Sequence, residues 1–445
     1  MKLNYKNTFL TGLAFMSIIA FWQLYDNVIP LLLTRTFHLS EDITGVIMAA
    51  DNVLALFLLP LFGKLSDRTH TKLGKRMPYI LIGTVVTAVL LNLLPIIDNG
   101  FYAGKQGFIY GLAPFVFVLG LMLFAMSVYR SPAVALMPDV TPKPLRSRAN
   151  AIINLMGAAG GIIYLAFTAV MFPKSKTEGL EHVDYSLLFI FMSAFMVVCI
   201  AIMLFTVNEP KLSAINTKIE KEHPEWDLTV KNKSTGNVRF PPEVRKSMIF
   251  LLISIALWYI GYNAVTTWFT TYISVIMDEG LGGASTCFLI ANVGAIVSYI
   301  PIGMAAAKFG RKKMIYFGTL LLTASFAACY FLTTTATTVT VPMYIVFALV
   351  GVAWASISVN SLPMAVEMCR GADAGKYTGL YYTASMAGQV VTPIFAGFLL
   401  KNVSYKILFV YATVFSLASF ITMIFVKHGD IKAEKLKGLE NFEEM

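Results

Sequence analysis

Twelve apolar runs, each long enough to cross about 30 Å of hydrocarbon as a helix, limit this chain to one kind of fold. They lie near residues 10–33, 43–63, 78–97, 108–137, 149–172 and 185–207, then 246–275, 282–306, 313–332, 341–366, 376–400 and 405–427. Hydrocarbon offers no partner to backbone N–H and C=O groups, so such runs cross as helices, which bond their own backbone. No alternating strand pattern suggests a barrel instead. Composition agrees: the chain is 57% hydrophobic and 13% charged, against about 45–50% and about 25% in soluble domains. Too little polar surface remains to cover water-soluble globules, and soluble enzyme classes drop out. The expected fold class is an all-α membrane protein with twelve transmembrane helices in two pseudo-symmetric six-helix halves.

The one long polar stretch divides the runs six and six. The expected organisation is an N-terminal half over 1–207, a cytoplasmic linker over 208–245, a C-terminal half over 246–427 and a cytoplasmic tail over 428–445. With both termini inside, the inner loops carry 28 Lys+Arg and the outer loops 6, which fixes that orientation by the positive-inside rule. The first run lacks a small-residue cleavage site and reads as a retained helix, and the expected location is the plasma membrane. The formal charge of +10 therefore reports topology and attraction to anionic headgroups, and no nucleic-acid partner is implied. Cys199, Cys287, Cys329 and Cys369 have no short paired spacing, so they read as packing residues and no metal or cofactor is expected.

The halves repeat each other. Gly63, Lys64, Asp67, Arg68, Lys75 and Arg76 follow the second run, while Gly303, Lys308, Gly310, Arg311, Lys312 and Lys313 follow the eighth. At an offset of 228 residues, Asp139, Arg148 and Gly160 fall opposite Glu367, Lys376 and Gly388. A carboxylate at the inner end of one helix and a base at the start of the next can pair when that face is closed and part when it opens. Gly63, Asp67, Arg76, Asp139, Arg148 and Glu367 are accordingly expected at a cytoplasmic gate, with Asp67, Arg76, Asp139 and Arg148 clustered when the inside is closed. Parallel six-helix repeats characterise secondary transporters that rock two halves about a midplane site.

The segment Gly63 to Arg76 resembles the glycine, acid and paired-base signature of the major facilitator superfamily. Its longer form, Leu65 to Gly83, is similar to that of the glycoside-pentoside-hexuronide:cation symporters and the related sucrose symporters, as are Ser131 to Asp139 and Arg148-Ala149-Asn150-Ala151. The resemblance is strong over roughly residues 40–165 and thin elsewhere. It implies alternating-access symport of a glycoside or disaccharide. The departures are specific. The second-helix positions that hold sodium in melibiose-type members are Ala55, Leu58 and Leu59 here, the first-helix acidic sugar ligand falls near Ile19, and the fourth-helix arginine of plant sucrose symporters falls at Val134. The fourth-helix acid of melibiose-type proteins aligns with Arg130, which keeps a polar anchor and reverses its charge.

Three ionisable residues remain inside the hydrocarbon: Asp26, Asp51 and Arg130. Each costs about 2.5–3.5 kcal/mol on insertion scales, so each is a functional candidate. Asp26 lies nine residues before Arg35 and Asp51 nine after Asp42, which sets both carboxylates at similar depth on antiparallel helices. Low dielectric and a like-charged neighbour suit such a pair to carrying a proton, with Asp51 as principal carrier and Asp26 assisting or contacting sugar; helix–helix hydrogen bonding is the competing role. Arg130 lies about 13 Å above the inner end by helical rise. A direct pair with Asp26 is therefore not expected, and Arg130 reads as a hydroxyl donor to sugar or half of an inner-gate ion pair.

The second half offers polar and aromatic groups at helical spacing: Trp258 and Tyr262, then Tyr259, Asn263 and Thr266, then Tyr382, Ser385 and Gln389. Sugars need an apolar platform and amide or hydroxyl partners, so Trp258, Tyr259, Tyr262, Asn263, Tyr382 and Gln389 join Arg130 as candidate substrate-binding residues; core packing is the alternative for each. Asn150, Asn154, Gly157 and Gly161 form one small face that reads first as close helix packing, with Asn154 also a site candidate. No phosphate-cradling loop or catalytic cluster appears, so an enzyme is not expected. The reading is a proton-coupled sugar symporter, working as a monomer in the bilayer with a sugar and a proton as its partners. The alternative is an exporter of drugs or metabolites on the same fold.

Overall fold

The computed structural model describes residues 3–104, 108–142, 145–177, 180–222, 242–277, 279–336, 338–367 and 374–428, with the side chains of 108–110, 146–148, 150, 151, 174, 220, 307, 366, 367 and 374–379 outside that description. Among the described residues there is no strand, and twelve helices are long and apolar enough to span a membrane. They are α1 (Tyr5–Arg35), α2 (Glu41–Asp67), α3 (Met77–Tyr102), α4 (Phe108–Val140), α5 (Arg146–Met171) and α6 (Ser186–Thr206). The second half holds α7 (Pro242–Ile276), α8 (Leu281–Phe309), α9 (Arg311–Thr335), α10 (Val341–Glu367), α11 (Ala374–Asn402) and α12 (Ile407–Ile424). Phe57 is 72% exposed and Phe205 86%, and such side chains recur around the bundle because lipid, not water, covers it. Within the stretch read as a linker, Glu209–Glu222 forms a helix and α7 begins at Pro242.

Packing repeats between the halves. In the first, α1 packs on α5 and α6, α3 on α4 and α6, and α2 on α4; in the second, α7 packs on α11 and α12, α9 on α10 and α12, and α8 on α10. The halves meet where α2 faces α11, α5 faces α8 and α1 faces α7. Exchanging the halves returns the same contacts, which is the pseudo-twofold the sequence repeat requires. On α5, the small-residue face is used for close packing: Gly157 and Gly161 lie against Ile19 and Gln23 of α1.

Twelve crossings put the start of α1 and the end of α12 on one face, the terminal face. Among the described residues, the hydrogen bonds and ion pairs joining the halves lie on the opposite face or in the adjoining half of the bilayer. Arg35, at the end of α1, donates to the hydroxyl and carbonyl oxygens of Ser274 on α7. Lys401 of α11 bridges Asp42 of α2 at 2.9 Å, Tyr405 donates to Glu41, and Thr270 donates to Asn27 at 2.9 Å. The Gly282 N–H bonds the Phe172 carbonyl at 3.0 Å. Backbones touch here because two glycines allow it: a Cβ on Gly45 would sit 2.1 Å from the Pro393 carbonyl oxygen, and one on Gly397 2.3 Å from that of Glu41. The face opposite the termini is closed.

Gly45→Val is therefore expected to hold that face apart, since no rotamer relieves a Cβ against backbone. Spin labels at Leu180 and Val403, both exposed on that face, should move to longer separations in the variant; an unchanged distance distribution would show that the glycine contact does not control closure.

Candidate functional site

The centre of the first half is built by α1, α2 and α4. Tyr129 of α4 donates to the Ala14 carbonyl at 2.8 Å and bonds Ser17, fixing α4 on α1. Tyr25 reaches the Met48 carbonyl at 3.4 Å, and Ser131 donates to the Leu59 carbonyl at 2.7 Å, fixing α2 on each neighbour. This frame holds Asp26, Asp51 and Arg130 half-buried and within one another's electrostatic field. No ion pair or hydrogen bond joins any two of them. Asp51 accepts from the Asn52 amide at 2.8 Å. The Arg130 guanidinium instead lies 5.3 Å from the ring centroid of Trp22, a cation–π contact on the same side of α1 as Asp26, one turn away. Two acids and one base thus share a low-dielectric space with their hydrogen-bonding capacity largely unused. A bound proton or a ligand rich in hydroxyls would fill it.

The second half gathers an aromatic group of its own. Tyr262 stacks on Trp354 with centroids 3.9 Å apart and planes at 12°, and Tyr259 meets the same indole edge-on at 5.4 Å. A cavity of about 70 Å³ lies there between Ala158, Tyr262, Asn292, Tyr299 and Trp354. Asn263 keeps a buried amide oxygen without a partner, Gln389 donates to the Ser385 carbonyl at 3.4 Å, and Tyr382 is 50% exposed beside Tyr381. Trp258 does not join this group: it is completely buried in the apolar core of its half, because the face it shares with Tyr262 turns inward one turn earlier. Asn154 is exposed. Trp22 and Trp354 escaped sequence reasoning, since a tryptophan in an apolar run carries no signal until a partner is placed against it.

At the terminal face, Arg76 is the hub. Its guanidinium donates to Asp139 at 2.8 Å, to the Gly63 carbonyl at 3.2 Å, and to Ser66 and Asp67, while Lys75 adds a second bridge to Asp139 at 3.1 Å. Gly63, Asp67, Arg76 and Asp139 are thus gathered, whereas the side chains of Arg148 and Glu367 lie outside the described residues. The sequence tied this cluster to closure of the terminal face, yet here it is formed with the opposite face closed. The reason is that all its members belong to the first half, so it needs no contact across the halves.

Glu209 was not anticipated. Its buried carboxylate accepts from the backbone N–H groups of Lys75, Arg76 and Met77 at 2.8–3.1 Å, capping α3, whose own N-terminus offers no side-chain cap. A carboxylate is favoured there by the orphan donors and the helix dipole. Gly74 makes the approach possible: its φ is +114°, and a Cβ would fall 2.3 Å from the carboxyl group.

A profile of the Major Facilitator Superfamily matches residues 11–298 and 278–442. The chain belongs to that superfamily, a family of membrane transporters and not of enzymes, and its twelve candidate spans make it a multi-pass membrane protein. It is 24% identical over 231 residues to the sucrose transport protein SUC4 of Arabidopsis thaliana, covering 49% of this chain and 45% of that one. It is 32% identical over 127 residues to the lactose permease of Lactobacillus helveticus, covering 27% and 18%. The matches span less than half the length of these relatives. Among solved structures, the inward-open xylose transporter XylE from E. coli superposes with TM-score 0.66 at 15% identity, covering 98% of this chain and 97% of that one. The nucleoside transporter NupG gives 0.68 at 13%, covering 95% and 100%. At such identities the likeness establishes the fold.

Removing the Glu209 carboxylate strands three N–H groups at once. Glu209→Ala should lower stability by roughly 1–2 kcal/mol, in the range of lost helix caps, read as a fall in Tm in detergent; a Tm equal to wild type would mean that water replaces the cap without penalty.

Proposed function

We propose that the protein is a proton-coupled symporter of a sugar, a glycoside or disaccharide, acting as a monomer in the plasma membrane with both termini cytoplasmic. The observation that carries this reading is the unpaired group Asp26, Asp51 and Arg130, held in mutual electrostatic range without a direct bond. Two carboxylates and one guanidinium leave one negative charge in excess, and in a medium of low dielectric a proton is the smallest ligand that removes it. Asp51 is the principal carrier and Asp26 its assistant. Arg130 and the Tyr259, Tyr262 and Trp354 surface supply, respectively, donors for hydroxyls and a platform for C–H faces. Ala55, Leu58 and Leu59 replace the polar positions of sodium-coupled members, which favours a proton over sodium. The sugar class is supported by the sucrose and lactose carriers among the relatives.

With the termini cytoplasmic, the closed face is the outer one. Protonation of Asp51 would discharge the site and so favour closure over bound sugar, coupling the two movements.

Asp51→Asn mimics the protonated acid. It should retain downhill sugar exchange in proteoliposomes and lose accumulation driven by a pH gradient. Accumulation with wild-type pH dependence would make Asp51 structural; sodium-stimulated, pH-indifferent uptake by the wild type would overturn the coupling ion; exchange of lipophilic cations but of no sugar would replace this reading with that of an exporter.

A further inference from the structure

A second set of titratable groups sits at the closed end of the first half, away from the site above. Asp98, near the end of α3, is only 1% exposed. Its Oδ1 has no hydrogen-bond partner and its Oδ2 lies 3.5 Å from Nε2 of His182. The protonation of that imidazole follows from its neighbours. The Asn99 amide nitrogen donates to Asp184 at 2.8 Å and to Ser186 at 3.1 Å; a carboxylate only accepts, so the Asn99 oxygen is the atom turned to His182. At 2.7 Å it must receive the Nε2 proton. Burial lowers the His182 pKa below its ordinary value, which disfavours a cationic ring beside Asp98.

Of the other groups facing this spot, only one helps the charged form. Asp184 is negative and already served by Asn99 and Ser186. Glu181 is negative and accepts from Tyr102, whose ring stacks on His182 at 4.3 Å. Tyr185 is a neutral phenol, its pKa raised by burial. From α1, the Thr36 hydroxyl is a hydrogen-bond donor to the carboxyl group and the one neighbour that favours its ionised form, while Arg35 is committed to Ser274 across the halves. An ionised carboxylate with an orphan oxygen is strongly disfavoured in such a dry setting.

We propose that Asp98 is a second proton-binding site of this protein, occupied while the face opposite the termini is closed and emptied as that face opens. The lever is the segment Arg35–Phe37. Arg35 holds the gate, Thr36 touches Asp98, and Phe37 is wedged against Phe101 and Phe115 at 4.9 and 4.8 Å. Movement of this segment away from α7 admits water to Asp98. Because the closed state binds the proton more tightly, low pH favours closure, and raising the pH through the titration removes that preference. The inference rests on the closed gate and is independent of sugar–proton symport.

The test uses the full chain in nanodiscs, without substrate, with spin labels at Leu180 and Val403 followed from acid to alkaline pH. In wild type the open-to-closed ratio should rise with pH, by up to about tenfold per unit, the limit for one proton. Asp98→Asn should remain closed and pH-indifferent, Asp98→Glu should restore the response, and Asp51→Asn should keep it. A wild type whose distances ignore pH, an Asp98→Asn curve that follows wild type, or a response abolished by Asp51→Asn would each overturn the proposal.

Discussion

A single buried guanidinium organises the rigid body on which everything else turns. Arg76 reaches Asp67 and Ser66 at the end of α2, the Gly63 carbonyl within α2, and Asp139 at the end of α4, while its own backbone N–H is taken by Glu209. A charge this buried persists because every direction it points meets an acceptor. Four pieces of chain that would otherwise fray at the membrane surface are thereby locked together: α2, α3, α4 and the helix Glu209–Glu222. That helix leads toward the second half, so the rigid unit extends to the start of the connection between them.

The two faces of the transporter are built on different physics. On the terminal face the charged contacts around Arg76 are internal to the first half, with the linker helix joining them. On the opposite face some cross between halves: Arg35 to Ser274, Asp42 to Lys401, Glu41 to Tyr405. Those groups are partly exposed, and pairs of that kind contribute little each. The close approach at Gly45 and Gly397 supplies the fit, the ion pair and hydrogen bonds supply register, and neither is strong enough to make closure permanent. Between the faces lie charges with unfilled bonding capacity. Reversible closure above such a site is what alternating access demands of a static arrangement.

Much of this was legible beforehand because membranes impose it. Span number and the all-helical fold follow from backbone hydrogen bonding in hydrocarbon, and the six-and-six division from the one long polar stretch between the runs. The signature from Gly63 to Arg76 and the acid Asp139 were visible as motifs, and Asp26, Asp51 and Arg130 stood out because ionisable residues are scarce in apolar runs. Trp258 lies fully buried in the core, and the sequence could not show this for a physical reason: helical spacing identifies which residues share a face, and it says nothing about whether that face meets the cavity, the core or lipid. Trp22 and Trp354 were missed from the other side of the same ambiguity.

The sequence by itself determined the class of structure, its internal repeat and the small set of charges that have no business in a bilayer, since each of these is a property of composition along one helix. Only the tertiary structure decided which charges meet. Glu209 caps a helix that begins more than a hundred residues earlier, Asp98 finds His182 from another connection, and the Arg130 guanidinium turns to an indole and not to a carboxylate. Contacts between distant segments depend on how helices are rotated and how closely glycines let them approach, and a one-dimensional pattern carries neither.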